Sequence, residues 1–213
     1  MPTLDAIHWG PASKAKPKQL VVLCHGLGAD AFDLIDLAPS WAHACPDAIF
    51  ASVHAPFPHD SGFGRQWWSV ADRSPAVMEA GVRAAAPYLH GFLDAELARL
   101  KLADYAIMGF SQGAMISLFT GLRQTAAPRA ILAFSGALVG PESLRKEIKN
   151  RAPVLLVHGE ADEVVPVARS RDAEAALKAA GVPVEAHYVP RLGHGIDDTG
   201  ISFGALALQK GFS

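Results

Sequence analysis

Two cysteines, Cys24 and Cys45, are all that the 213-residue chain contains. That is too few for a disulfide scaffold. Charge of one sign is missing as well: 19 Lys and Arg stand against 21 Asp and Glu, a formal net charge of −2. Bulk electrostatics therefore give no reason to expect nucleic acid or an anionic membrane as a partner. No apolar run is long enough to span a bilayer, so stable membrane insertion is not expected. The segment Met1 to Gly10 lacks a basic start and an apolar core. It does not read as a signal peptide, and the cytoplasm is the expected location. No H-E-x-x-H and no clustered Cys/His spacing is present, so no metal is expected. His25-Gly-Leu-Gly28 lacks the lysine and hydroxyl residue of a P-loop and the third glycine of a dinucleotide loop. There is no internal repeat and no low-complexity segment.

What is present is apolar residue, half of the chain. That supports a large core, and the length suits a single domain over residues 1–213. The runs Gln19–Cys24, Ala48–Val53, Tyr105–Phe110, Arg129–Phe134 and Pro153–Val157 are apolar and suit strands covered on both faces. Residues 4–9 suit a short edge strand, and Val184–Val189 alternates as a last strand. Between the runs lie segments of helical period. Asp30 to Ala44 has a break expected at Pro39. Ser74-Pro75 reads as an N-cap with proline at the first helical position, opening a helix to about Leu100 that is expected to be interrupted near Gly81 or Pro87. Further helices are expected after Gly109-Phe-Ser-Gln-Gly113, over about Val167 to Ala180, and over Ile201 to Lys210. Alternating strands and helices predict an α/β fold with a mainly parallel sheet and helices on both faces. In such sheets ligands bind at the carboxyl ends of the strands. Residues 25–28, 109–113 and 158–162 all fall at such ends, and the turn around His194 follows the last strand.

Gly109-Phe-Ser-Gln-Gly113 sits between an apolar strand and an apolar helix. This is the strand–turn–helix context in which G-x-S-x-G acts as a nucleophile elbow. Glycines two residues either side of Ser111 suit a crowded turn. A free hydroxyl is a weak nucleophile and needs a base within hydrogen-bond reach. His194, flanked by Gly193 and Gly195, is the candidate base. Asp162, after the fifth core strand, is the candidate carboxylate to orient it. Asp197 and Asp198 compete for that role, but the strand-end position favours Asp162. The order Ser, Asp, His is that of the α/β-hydrolase fold. The backbone N–H groups of Gln112 and Leu27 are the candidate oxyanion hole. His25 and His158, each before a glycine at a strand end, are expected to bond loop backbone rather than metal. Cys24 is expected to be a core thiol.

The chain resembles the phospholipase/carboxylesterase family of α/β-hydrolases, which includes the acyl-protein thioesterases. The resemblance rests on His25-Gly-Leu-Gly28, Gly109-Phe-Ser-Gln-Gly-Ala114, His158-Gly-Glu-Ala-Asp162 with Val165-Pro166, and Gly193-His-Gly195. Arg65-Gln-Trp-Trp68 is similar to the family's arginine-aromatic loop. Two departures are Ala114, where many members carry glycine, and the bulk of Trp67-Trp68. The resemblance implies a serine hydrolase without a cofactor, acting on a carboxylic ester or thioester. The substrate would be a small acyl ester or thioester, an acylated protein or a lysophospholipid. The alternatives are a lysophospholipase-type activity and a non-catalytic small-ligand binder on the same fold. A dienelactone-hydrolase-like activity would lead one to expect cysteine at position 111.

The connection Gly136 to Ala152 is too short for a cap domain, so an open site is expected. Its walls are expected in the proline- and glycine-punctuated loop 55–73, with Phe57, Phe63, Trp67 or Trp68 lining an acyl groove. The sequence leaves the oligomeric state open.

Overall fold

The computed structural model describes residues 4–213, so Met1, Pro2 and Thr3, part of the segment that does not read as a signal peptide, lie outside the described residues. In chain order the strands are β1 (Ala6–Trp9), β2 (Gln19–Cys24), β3 (Ala48–Val53), β4 (Phe57–Pro58), β5 (Arg65–Gln66), β6 (Asp104–Phe110), β7 (Ala130–Phe134), β8 (Val154–Gly159) and β9 (Val184–Val189). The helices are α1 (Ala31–Ile35), α2 (Ala38–Trp41), α3 (Pro75–Leu100), α4 (Gln112–Gly121), α5 (Pro141–Glu147), α6 (Ala168–Ala179) and α7 (Asp198–Gly211).

Seven strands form one sheet in the order β1-β3-β2-β6-β7-β8-β9. Only β1 is antiparallel, and it lies at the edge beside β3. The parallel strands β2, β3, β6, β7 and β8 are mostly apolar on both faces because helices cover both, whereas β9 at the far edge alternates. Along β2, Val21 and Leu23 face one helical layer, while Leu20 and Val22 face the other. The first layer is α1, α2 and α7, which bring Leu34, Trp41 and Leu208 against Met108 and Phe134. Trp41 is fully buried, and its indole N–H donates to the Ile201 carbonyl at 2.9 Å, tying α2 to α7. The second layer is α3, α4, α5 and α6. Here Leu89 and Ile116 pack on Ile107, and Leu144 and Leu177 pack near Ile131 and Leu156. Each such side chain contributes on the order of 1.5–3 kcal/mol by leaving water.

Two expectations about helix breaks change. Helix α3 runs unbroken through Gly81 and Pro87. Pro87 is on the exposed face, where the carbonyl it leaves unbonded, that of exposed Arg83, meets water, while Val82, Ala85, Ala86 and Leu89 hold the other face to the core. Gly81 is there for packing: a Cβ would sit 2.6 Å from the Trp68 ring. Ser74 caps α3 with extended backbone but no side-chain bond. The break between α1 and α2 falls at residues 36–37, and Pro39 takes a first-turn position of α2, where its missing N–H costs nothing. The 136–152 connection contains the two turns of α5, and its first part is apolar, with Ala137, Leu138 and Val139 buried.

Candidate active site

The register of β2 against β6 pairs Cys24 with Gly109, so the loop after β2 and the turn after β6 meet at the same edge of the sheet. Ser111 occupies that turn with φ 55° and ψ −116°, a strained backbone for a residue with a Cβ. The glycines around it are steric requirements. A Cβ on Gly109 would lie 2.1 Å from the Gly113 carbonyl oxygen, and one on Gly113 would lie 1.8 Å from that of Cys24. Behind the turn, burial pushes the Cys24 thiol up to about 12, so it stays protonated and inert.

His194, in the loop between β9 and α7, donates from Nδ1 to Asp162 Oδ2 at 2.7 Å. Asp162 sits in the loop after β8, where its Oδ1 accepts the backbone N–H groups of Val164 (2.9 Å) and Val165 (2.8 Å). Burial raises the tendency of this carboxyl to hold a proton. The bonds from His194, Val165 and Val164 outweigh it and hold the group below its ordinary range, ionised. Asp197 is otherwise engaged: it caps α7 by accepting the Gly200 N–H at 2.8 Å. Sequence reasoning missed that His158 also touches the Asp162 carboxylate. Its Nε2 is 2.8 Å from the Val165 carbonyl and 3.1 Å from Asp162 Oδ2. Burial pushes His158 below the ordinary imidazole range, so its neutral ring carries the proton on Nε2.

Leu27 and Gln112, whose backbone N–H groups are the candidate donors, both line the same cavity as Ser111. Neither donates to an acceptor among the described residues. The loop that carries Leu27 is fixed on every side. His25 Nδ1 donates to the Gly26 carbonyl at 2.7 Å, and its Nε2 accepts the Ala55 N–H at 3.0 Å. Gly28 N–H donates to the Arg65 carbonyl at 2.8 Å, and Arg65 N–H donates to that of Ala29 at 2.9 Å. The Arg65 guanidinium in turn holds the carbonyls of Ala55 and Pro56. Gln112 does more than lend its N–H: its side-chain amide accepts from the Trp67 N–H and donates to the Trp68 carbonyl. A glutamine after the nucleophile, with a polar-aromatic loop elsewhere, was the only sequence sign of that bracket.

A cavity of about 650 Å³ opens at Ser111 and His194. Its apolar walls come from Met78 of α3, Met115 of α4, Leu138 and Val139 after β7, and Ala173 of α6. None of the four aromatics expected to line a groove is among its lining residues. Trp67 is fully buried and donates from Nε1 to the His25 carbonyl, so it braces the loop under the site. Trp68 is sealed against Gly81 and Met78. Phe57 packs edge-on against Tyr88, with ring centroids 5.6 Å apart. Phe63 is 83% exposed at the tip of the β4–β5 hairpin. Only Val70 and Arg73, at the end of that loop, reach the cavity. The missed signal was Ala137-Leu-Val139, three apolar residues just past a strand end.

A mainly parallel sheet between two helical layers, with an elbow serine and an aspartate–histidine pair at its carboxyl edge, defines an α/β-hydrolase. The profile described as Phospholipase/Carboxylesterase matches residues 11–209, and the chain belongs to that family. As a member of it, the protein is a carboxylic ester hydrolase. The chain is similar to Esterase YpfH of Escherichia coli (strain K12), 30% identical over 202 residues, covering 92% of this chain and 84% of the relative. It is 25% identical to Acyl-protein thioesterase 1 of Gibberella zeae over 193 residues, 82% of each chain. Among solved structures, esterase PE8 superposes with a TM-score of 0.91 at 37% identity, covering 98% of this chain and 99% of that one. Among the described residues no helix is long and apolar enough to cross a membrane.

Proposed function

We propose that the protein cleaves small carboxylic esters or thioesters through an acyl-enzyme formed on Ser111, with His194 as general base and acid and Asp162 as its orienting carboxylate. The observation that carries this reading is the 2.7 Å bond from His194 Nδ1 to Asp162 Oδ2, in a histidine that lines the same cavity as Ser111. With the ring proton held on Nδ1 by an ionised acceptor, Nε2 is left as the basic nitrogen. It takes the Ser111 Oγ proton as Oγ bonds to the acyl carbon. The oxyanion that forms is met by the N–H groups of Leu27 and Gln112, each such donor contributing on the order of 2.7–4 kcal/mol to the transition state. The bond to the leaving oxygen or sulfur breaks, and His194 returns the proton to that atom. Water then attacks the acyl-enzyme with the same histidine as base, releasing the acid and restoring Ser111. The acyl part occupies the apolar cavity between Met78, Met115 and Val139.

A fluorophosphonate probe tests this directly. It should label Ser111 in the folded protein, and Ser111→Ala should lose both labelling and turnover while keeping its melting temperature. Absence of labelling in folded wild type would instead favour a non-catalytic ligand-binding protein on this fold.

A further inference from the structure

His194 lines two cavities, not one. The larger lies over α3, α4 and α6 on one face of the sheet. A smaller and more open one, of about 310 Å³, lies on the opposite face, between Asp33, Leu34 and Leu37 and the segment His194 to Ile196. Phe110 and Asp33 line both as well, so the two cavities adjoin at the carboxyl edge of the sheet with His194 in the wall between them. Ser111 lines only the larger one.

The proposed reaction fixes how an ester lies across them. As the bond from acyl carbon to Ser111 Oγ forms, the bond to the leaving oxygen or sulfur breaks, and that atom collects its proton from His194. The leaving group must therefore sit beside the imidazole, while the acyl chain points away from it. The larger, apolar cavity is on the acyl side. The smaller cavity is what remains on the far side of His194.

Its chemistry is uneven. Leu34, Leu37 and Ile196 give an apolar floor. Apart from His194, Asp33 is the one ionisable side chain lining it. The neighbouring Asp30 uses its carboxylate to cap α1 through the Phe32 N–H. The Asp33 carboxylate makes no hydrogen bond or ion pair among the described residues, and Asp33 is exposed. The cationic lining residues, Arg73 and Arg169, belong to the larger cavity alone. A leaving group in the smaller cavity thus meets an apolar surface and an unpaired negative charge.

We propose that the smaller cavity is the leaving-group pocket, and that it selects short alcohols or thiols with an apolar body and a positively charged head. Phosphate-bearing leaving groups are disfavoured there. This rests on Ser111 and His194 acting as described above.

The test uses two esters of one acid: butyrylcholine and its uncharged isostere 3,3-dimethylbutyl butyrate. The quantity read is the ratio of their kcat/KM values, which cancels any general loss of activity. Asp33→Asn should lower the cationic-to-neutral ratio about three- to fivefold, as expected for a partly screened charge pair. Asp33→Lys should lower it further, and Asp33→Glu should hold it near wild type. In ~1 M salt, where the screening length is about 3 Å, the wild-type ratio should fall toward that of Asp33→Asn. Independently, Leu37→Trp, which fills the pocket, should depress kcat/KM on butyrylcholine relative to methyl butyrate. A ratio indifferent to Asp33→Asn and Asp33→Lys would overturn the charge selection, and indifference to Leu37→Trp would overturn the pocket. Failure of the catalytic reading looks different: Ser111→Ala would then still hydrolyse the neutral ester.

Discussion

Asp162→Asn removes one charge and keeps the side-chain shape, and the surrounding bonds dictate how the amide must sit. Oδ1 accepts two backbone N–H groups, from Val164 and Val165. An NH₂ group in that position would face two donors and leave both unsatisfied, at about 1–3 kcal/mol each. The amide oxygen therefore takes the Oδ1 place, and the NH₂ takes the Oδ2 place, facing His194 Nδ1, while His158 Nε2–H, 3.1 Å from that place, keeps the Val165 carbonyl at 2.8 Å as its acceptor. There it donates, so Nδ1 has to accept and the ring proton moves to Nε2. The nitrogen that should take the Ser111 proton then already carries one. The expected result is a loss of about 10⁴ in kcat, or roughly 5 kcal/mol of transition-state stabilisation, with KM little changed. Steady-state kinetics on a short-chain ester measures it, with the melting temperature as a check on the fold. Labelling by fluorophosphonate should slow in parallel. A loss under tenfold would refute the orienting role of Asp162.

Three further outcomes follow from the same geometry. Gly113→Ala puts a methyl 1.8 Å from a backbone oxygen that has no room to yield, so it should cost ~3 kcal/mol or more, a fall in melting temperature of roughly 6–12 °C; a fall below about 2 °C would mean the elbow is not rigid. Ala173→Phe or Val139→Phe should shift preference toward shorter acyl esters, whereas Phe63→Ala and Phe57→Ala should not, because the first pair lines the cavity and the second does not. Acid should destabilise the protein well before its carboxylates protonate. Burial pushes His25, His90 and His158 below the ordinary value of 6.5, so the unfolded chain binds more protons than the folded one as pH drops below that value. Their contribution is full above about pH 6.5 and is lost on going down through the folded-state values; a melting temperature that stays flat or rises from about pH 7.5 to 5 would contradict this.

Much of the fold was legible because it is written locally. The buried strands β2, β3, β6, β7 and β8 are apolar runs, and an apolar run reads the same wherever its partners lie. The elbow was legible for a similar reason: Gly109, Ser111 and Gly113 answer a crowding that arises mainly within the turn itself. The unbroken α3 was not, because Pro87 and Gly81 break helices in isolation. Their tolerance here depends on one being at the solvent face and the other beneath a tryptophan 13 residues earlier in the chain.

The sequence by itself pointed to a mainly parallel sheet with helices on both faces, to the strand ends that carry the candidate motifs, and to Ser111, Asp162 and His194 as candidates. Chain order and turn chemistry suffice for those. Only the tertiary structure decided which residues surround them. Trp67 and Trp68 have the size and polarity of a substrate wall, yet both turn inward, Trp67 to brace the Leu27 loop and Trp68 to pack on α3, and the wall falls to Met78, Met115 and Val139 from three separate segments. Asp33 and His194 are 161 positions apart, and no periodicity links them. They line one cavity because the helices after β2 and after His194 pack on the same face of the sheet, which is a property of the packed chain and of no segment in it.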